Sequence, residues 1–309
     1  MIINISDVWD AAADNHTKYL AAVIESGLKL LSNSTLDRQI YQFIIDNIET
    51  INGGTASDLK LCINDYNLRF GSGLLRACAA EKLKIIFDYS DFSKKSGKPW
   101  TAYNLCMLAK YQVCSYCQLV FTGTCLPDEE NQGYRPPIDH YYGKTEYPFL
   151  ALTLSNFVPC CEKCNGSQMK GMIDFSDIPH LNPLLDEETI DFVLTTQNPD
   201  NDSFTELISL SLPKSSYLLT LRVKKNEALS KASIRTFQLK SRYKDYSGQA
   251  YHLAKVMRGM SARLDMHREI LECETSIEDY LEFEPEDYKT VPYGKARICI
   301  AKQFGALPD

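Results

Sequence analysis

Two pairs of cysteines in this chain have the spacing of metal ligands. Cys114 and Cys117 are separated by two residues, and so are Cys161 and Cys164 further along the chain. A two-residue gap lets both thiolates of a pair reach one ion, and four thiolates around one ion describe a closed, structural zinc site. The alternative is that the four thiols pack as small apolar core residues. The matched spacing favours zinc, and Cys160 fits it less well because three residues separate it from Cys164.

Polar residues suited to phosphodiester hydrolysis lie between the two pairs and directly after the second pair. Asp139 offers an anionic oxygen to a hard divalent ion such as Mg²⁺, and Asn165 offers a neutral one. His140 is a candidate general base, because a neutral imidazole near pH 7 can take a proton from water. An isolated Asp-His pair is usually a surface hydrogen-bonding pair. The nuclease hypothesis therefore depends on the position of Asp139-His140 between the two cysteine pairs.

The order Asp139-His140, then Asn156, then Cys161-x-x-Cys164-Asn165 resembles the HNH (ββα-metal) endonuclease motif. This resemblance covers about sixty residues, 114–171. It implies a β-hairpin and one helix that hold a single catalytic divalent cation, Mg²⁺ or Mn²⁺. It also implies that His140 is the general base, that Asp139 and Asn165 bind the cation, and that Asn156 orients the base.

Three features of the sequence bear on whether these residues can form an HNH site. Gly143 stands near the place where family members often have a proline, and Asn165 occupies a position where a histidine is also used, which favours a harder cation than zinc. Neighbours in a regular strand point to opposite faces, so Asp139 and His140 can share a site only at a bend or strand end. Lys170 is predicted to contact a phosphate or to brace the site, and a solvated surface lysine is the equal alternative.

A second, less specific set of residues resembles one group within the HNH family. The residues from Glu146 to Cys160, around Asn156, and the Asn-Pro-Leu-Leu-Asp sequence that begins at Asn182 resemble the PtuB-like HNH subunit of Septu-type antiphage systems, relatives of which act in some retrons. The resemblance implies an ATPase partner of the PtuA kind. In a retron it further implies a reverse transcriptase with its non-coding RNA and DNA.

The elements that must position these residues indicate an α+β fold that is mainly helical. We expect an HNH ββα-metal core with a four-cysteine zinc knuckle, flanked by an N-terminal helical region and a C-terminal region of a small sheet plus helices. The boundaries predicted from the sequence are 1–105 for the helical domain, 106–185 for the nuclease domain with the knuckle, and 186–309 for the C-terminal α/β region. The helical domain shows no chemistry of its own, so it is either a scaffold or an interaction surface.

Periodicity predicts the elements of the C-terminal region. Alternating and β-branched residues predict three strands, at Thr189–Thr195, Phe204–Leu212 and Leu218–Val223. Apolar residues at helical spacing, interleaved with basic ones, then predict helices at Asn226–Lys240 and Ala250–Cys273.

Charge is distributed unevenly along the chain. The formal net charge is -7, yet residues 214–263 hold twelve Lys or Arg against two acids, a local net charge of +10. Interleaved tyrosines favour phosphate contact by this segment, and the alternative is the solvated face of two helices. The residues predicted to bind nucleic acid are Lys170, Lys224, Lys225, Arg235, Lys240, Arg242 and Lys244.

The sequence lacks a basic and apolar leader and any apolar run long enough to span a bilayer, which predicts a bacterial cytoplasmic protein with reduced cysteines and no membrane partner. The main hypothesis is a metal-dependent HNH endonuclease in antiphage defence that works with an ATPase partner on DNA or RNA, tRNA included. The alternative is a non-catalytic, zinc-stabilised module that binds nucleic acid or a partner and in which the polar residues are relics.

Overall fold

The computed structural model is α+β, with about half of the chain in helices. It describes residues 2–95, 97–198, 204–270 and 275–308. Within these ranges there are two small antiparallel sheets of two strands each. None of the helices in the described ranges is both long enough and apolar enough to cross a membrane.

The chain divides into two compact units. We call them the N-terminal unit, residues 4–115 and 122–186, and the C-terminal unit, residues 1–3, 116–121 and 187–309. The three regions expected from the sequence, which end at residues 105, 185 and 309, remain a prediction.

Helices dominate the first hundred residues of the N-terminal unit, as the three-and-four spacing predicted. Their apolar faces bury residues such as Phe43, Tyr66 and Phe70, whose rings contact one another. The helices of this unit are α1 (Ala13–Leu28), α2 (Thr35–Asp46), α3 (Ile48–Gly53), α4 (Leu59–Phe70), α5 (Leu74–Ile86), α6 (Tyr89–Phe92), α7 (Ala102–Met107) and α8 (Glu162–Asn165).

The small sheet of the N-terminal unit carries two residues of the expected site, Asp139 and His140. Strands β1 (Ile138–His140) and β2 (Phe157–Pro159) run antiparallel, with Asp139 opposite Val158, and all six residues are buried. Helix α8 begins directly after Cys161. The elements follow one another as strand, strand and helix, and α8 is only four residues long; the HNH core remains a prediction.

The C-terminal unit is built on a longer hairpin. Strands β3 (Ile190–Thr196) and β4 (Tyr217–Val223) pair over seven residues, and helices that follow β4 pack on this sheet. The helices of this unit are α9 (Phe204–Ser209), α10 (Glu227–Thr236), α11 (Leu239–Lys244), α12 (Ser247–Met257), α13 (Met260–Ile270), α14 (Ile277–Leu281) and α15 (Gly294–Gln303). The strands predicted at Thr189–Thr195 and Leu218–Val223 are confirmed.

Three predictions for this unit were wrong. The single helix predicted at Asn226–Lys240 is two helices, α10 and α11, because the chain breaks at Gln238, whose φ is +50°. The segment Phe204–Leu212 is not a strand but begins with helix α9, none of whose residues is buried, so no sheet face stabilises an extended form. The single helix predicted at Ala250–Cys273 is two helices, α12 and α13. They are separated at Gly259, whose φ of +71° is incompatible with a continuous right-handed helix. Cys273, the predicted end of that helix, lies outside the described residues.

Candidate active site and cysteine cluster

The four paired cysteines come together. The sulfur atoms of Cys114, Cys117, Cys161 and Cys164 all lie within 4.8 Å of one another, and all four residues are buried. In a tetrahedral zinc site with bonds near 2.3 Å, the sulfurs stand about 3.8 Å apart, so the cluster needs little contraction to bind such a metal. Cys160 is outside this group. Its thiol lies 3.9 Å from the carbonyl of Pro137, and burial raises its pKa well above the usual value.

An arginine contacts one of these thiols. The Nη2 of Arg242 lies 3.2 Å from the Sγ of Cys117, within the C-terminal unit. A guanidinium beside a thiol stabilises its thiolate form, which is the form that binds metal. Tyr243, the next residue, donates from its hydroxyl to the Cys117 carbonyl at 2.7 Å. Arg242 is also one of the residues predicted to bind nucleic acid, and this remains a prediction.

Asp139 is held by a buried lysine. The Nζ of Lys170 donates to Oδ1 and Oδ2 of Asp139 at 2.8 and 2.7 Å, and also to the carbonyls of His140 and Tyr141. The lysine side chain is 3% exposed and that of Asp139 is 7% exposed. Lys170 therefore braces the site, and the alternative of a solvated surface lysine was wrong.

His140 has a defined tautomer. Its Nε2 lies 2.9 Å from the carbonyl oxygen of Ala151, which can only accept, so Nε2 carries the hydrogen and Nδ1 is left as an acceptor. The rings of Tyr89 and Phe157 pack against the imidazole with centroids at 4.6 and 5.2 Å. Burial lowers the pKa of His140 to about 3, and the nearby Lys144 adds to the effect. The imidazole is thus neutral at physiological pH.

The side chain of Asn156 forms hydrogen bonds with the backbone of the segment that follows His140. Its Oδ1 accepts from the amide of Tyr142 at 2.8 Å, and its Nδ2 donates to the carbonyls of Tyr142 and Leu150 at 3.0 and 3.1 Å. Leu150 precedes Ala151, whose carbonyl orients the imidazole. Asn156 therefore holds both ends of the loop that positions His140 and does not contact the ring itself through these bonds.

Three of the four predicted catalytic residues line one cavity, and Asn156 does not line it. This cavity has a volume of about 230 Å³, and Asp139, His140, Asn165 and Lys170 line it together with Gly143. His140 is the last residue of β1, so the chain is free to turn there, as the sharing of one site by two neighbours requires. A Cβ at Gly143 would meet no atom within 4 Å, so packing does not require glycine at this place.

Sequence reasoning missed two residues of this site. Lys144 lines the cavity four residues after His140, and a search for basic residues close to the motif would have found it. Tyr89 packs on the imidazole from fifty-one residues upstream. No sequence signal connects Tyr89 to His140, because only the folding of the helical region brings the two rings together.

The other residues predicted to bind nucleic acid belong to the C-terminal unit. Lys224 forms an ion pair with Asp191 at 2.7 Å, and Lys225 forms one with Glu187 at 2.9 Å. The remaining three predicted residues are exposed on α10 and α11: Arg235, Lys240 and Lys244.

Comparisons with known proteins point to one local similarity. No family model matches the chain, and no solved structure is significantly similar to it. Over 90 residues the chain is 32% identical to the Septu protein PtuB of Bacillus thuringiensis. The aligned part is 29% of this chain and 31% of that relative, so the chain spans about a third of the relative's length. The sequence is therefore similar, over part of its length, to a Septu protein.

Proposed function

We propose that this chain is a divalent-metal-dependent endonuclease and the nuclease component of an antiphage defence system. The observation that carries the proposal is that His140, a neutral imidazole with Nδ1 left as an acceptor, lines one cavity together with Asp139 and Asn165. An oriented base beside two oxygen ligands is the combination that hydrolysis of a phosphodiester needs.

The donor set fits a hard cation. A carboxylate offers about four lone-pair sites, so Asp139 can accept from Lys170 with both oxygens and retain sites for an ion. Asn165, at the end of α8, supplies an amide oxygen to the same cavity. When bound there, Mg²⁺ or Mn²⁺ would supply the positive charge that stabilises the leaving oxygen.

His140 accepts the proton of the attacking water in this proposal. The carbonyl of Ala151 holds the ring so that Nδ1 stays unprotonated in the resting protein. A pKa near 3 is low for a base working at neutral pH, but an incoming phosphodiester anion would raise it, because a negative charge nearby stabilises the imidazolium.

The defence role rests on the similarity to a Septu protein. By that analogy the partner is an ATPase of the PtuA kind, and a retron reverse transcriptase with its RNA and DNA is a further associate. Exposed Arg235, Lys240 and Lys244 are proposed to contact the phosphates of a DNA or RNA substrate. The partner is tested by examining the neighbouring genes for an ATPase and by co-purifying its product with this chain; failure of the two proteins to co-purify would remove this part of the proposal.

Cleavage assays test the chemistry. Wild-type protein, His140→Ala and a matched control, His252→Ala, should be incubated with plasmid DNA and with total RNA in Mg²⁺ or Mn²⁺, alone and with the ATPase. His252 is an exposed histidine of α12. We expect the wild type and the control to cut equally and His140→Ala to be slower by about 10² to 10⁴-fold. Equal cleavage by all three proteins would show that His140 is not the base.

One observation favours a second candidate, a non-catalytic zinc-stabilised binding module. The ammonium of Lys170 already contacts both carboxylate oxygens of Asp139, which leaves that carboxylate less attractive to a metal ion. Tight nucleic-acid binding without turnover in any divalent metal, with and without the ATPase, would favour this candidate over the nuclease.

A further inference from the structure

A second cavity lies beside the candidate active site in the N-terminal unit. Its volume is about 450 Å³, and it is lined by residues of α5, of the segment that leads into α6, and of the chain after His140. Lys144 and Thr145 line both this cavity and the smaller one. The two cavities therefore adjoin along this part of the chain.

The wall of the second cavity is close to the proposed base. Tyr89 lines this cavity, and its ring is also the one that packs on the imidazole of His140 at 4.6 Å. The Nζ of Lys144 lies 4.3 Å from the centroid of the Tyr89 ring. Ala151, whose carbonyl accepts from His140, lines the second cavity as well. A group bound there would lie next to whatever is bound at His140.

The lining has the chemistry of a base-binding pocket. Phe87 and Pro148 add apolar surface to that of Tyr89, whereas Glu81 and Lys84 are exposed and offer a hydrogen-bond acceptor and donors. Nucleobases combine a flat apolar face with a polar edge, and their stacking on aromatic residues contributes to single-strand binding. The volume falls within the usual range for small-molecule sites, which the smaller cavity does not reach.

We infer that the second cavity binds the base of a nucleotide adjacent to the scissile phosphate. This inference rests on the proposed nuclease function, in which the phosphate lies at His140. A base can enter such a pocket only when it is unstacked and unpaired. The inference therefore favours a single strand or an unpaired loop over an intact duplex, in which the base would first have to be flipped out of the stack at a cost in unstacking and pairing free energy.

Filling the cavity tests this inference. Ala80, on α5, lines the cavity, whereas Ala77 is exposed on the same helix outside it. Full-length Ala80→Trp and Ala77→Trp proteins, both also carrying His140→Ala to prevent cleavage, are compared by fluorescence anisotropy without added divalent metal. The probes are fluorescein-labelled single strands of about eight nucleotides, in DNA and in RNA, and the corresponding blunt duplexes. We expect Ala80→Trp to bind the single strands about tenfold more weakly than Ala77→Trp, with no difference for the duplexes.

The binding data either support or overturn the inference that the second cavity binds a base. Equal single-strand binding by the two proteins would overturn it, and so would an equal loss for single strands and duplexes. The DNA and RNA probes show which sugar is accepted. If circular dichroism shows that Ala80→Trp is unfolded, Ser93→Trp fills the same cavity from another segment and carries the same expectation. The binding measurement does not depend on cleavage. If the cleavage assay is negative, the nuclease proposal fails, but the binding data still show whether the cavity binds a base.

Discussion

At the scale of single residues, the site depends on buried charges and a buried neutral ring. Lys170 and Asp139 are both almost fully buried, and removing such ions from water costs several kcal/mol each. The cost is offset because the lysine ammonium donates to both carboxylate oxygens and to backbone carbonyls. The carboxylate is thereby held at a defined position beside His140.

Removing the lysine should be strongly destabilising. Lys170→Met leaves the Asp139 carboxylate buried without its cationic partner, and we expect the free energy of unfolding to fall by about 3–5 kcal/mol. Urea denaturation measures the change. Lys163→Met, an exposed lysine on α8, is the control and should change stability by less than about 0.5 kcal/mol. Equal stability of the two variants would show that the ion pair contributes nothing to folding.

A second histidine predicts an acid-sensitive fold. His16 is fully buried, with Nε2 at 2.7 Å from the Leu152 carbonyl and Nδ1 accepting from the indole of Trp100 at 3.2 Å. Burial lowers its pKa from 6.5 to about 4. The unfolded chain therefore binds a proton between these values and the folded chain does not, so stability should fall as the pH drops from 6.5 to 4, by on the order of 3 kcal/mol from this group.

The measurement is urea denaturation across that pH range with wild type, His16→Gln and His252→Gln. His16→Gln lacks the group, so its stability should decrease less steeply between pH 6.5 and 4. Replacement of the exposed His252 should leave the dependence of stability on pH as it is in the wild type. A slope in His16→Gln as steep as that of the wild type would show that His16 does not cause the acid sensitivity.

At the scale of elements, a very short hairpin is stabilised from the side. Strands β1 and β2 have three residues each, too few to be stable alone. Asn156 ties the connecting loop together through three hydrogen bonds to Tyr142 and Leu150. The indole of Trp9 adds a bond to the carbonyl of Phe157, at 2.8 Å, from the helical part of the unit. The positions of the site residues are therefore fixed mainly by hydrogen bonds from other parts of the unit, because the two-stranded sheet is too short to fix them.

Replacement of Asn156 should loosen this loop. We expect Asn156→Ala to reduce the free energy of unfolding by about 2–3 kcal/mol, because the buried amide and carbonyl of Tyr142 lose the side chain that bonds them and the Leu150 carbonyl keeps only its bond from the Thr153 amide. If the protein is a nuclease, kcat should fall while KM changes little. Ser155→Ala is the control, since the Ser155 hydroxyl is buried with no hydrogen-bond partner among the described residues. A larger loss for the control than for Asn156→Ala would contradict this role.

At the scale of the whole molecule, the cysteine cluster joins parts of the chain that are distant in sequence. Cys117 and Cys161 are 44 residues apart, and the segment between them includes β1 and the loop tied by Asn156. A metal bound by all four thiolates would add its binding free energy to folding. Removal of that metal by a chelator should therefore lower the free energy of unfolding.

Metal analysis tests this site. We expect the purified protein to hold about one equivalent of zinc by mass spectrometry, and Cys117→Ser to lose zinc and to melt at a lower temperature. Cys78→Ser, an exposed cysteine of α5 outside the cluster, should match the wild type in both measurements. Zinc retained at the wild-type level in Cys117→Ser would exclude that residue as a ligand.

Some of the fold follows directly from local pattern. The helices of the first hundred residues and strands β3 and β4 were predicted because their apolar residues repeat with the period of the element. The helix at Phe204–Ser209 was missed because a six-residue segment without a buried residue has no apolar face that defines a period. The break between α12 and α13 was missed because a single glycine within a helical pattern does not by itself indicate a positive φ.

The sequence by itself determined which side chains are able to do chemistry. The four cysteines were recognisable from their spacing, and Asp139, His140 and Asn165 from their types and order. Only the tertiary structure decided that Lys170 is bound to Asp139, that Ala151 sets the tautomer of His140 and that Tyr89 lies against its ring. The physical reason is that these contacts join distant residues, and their geometry depends on how the helices and the short hairpin pack.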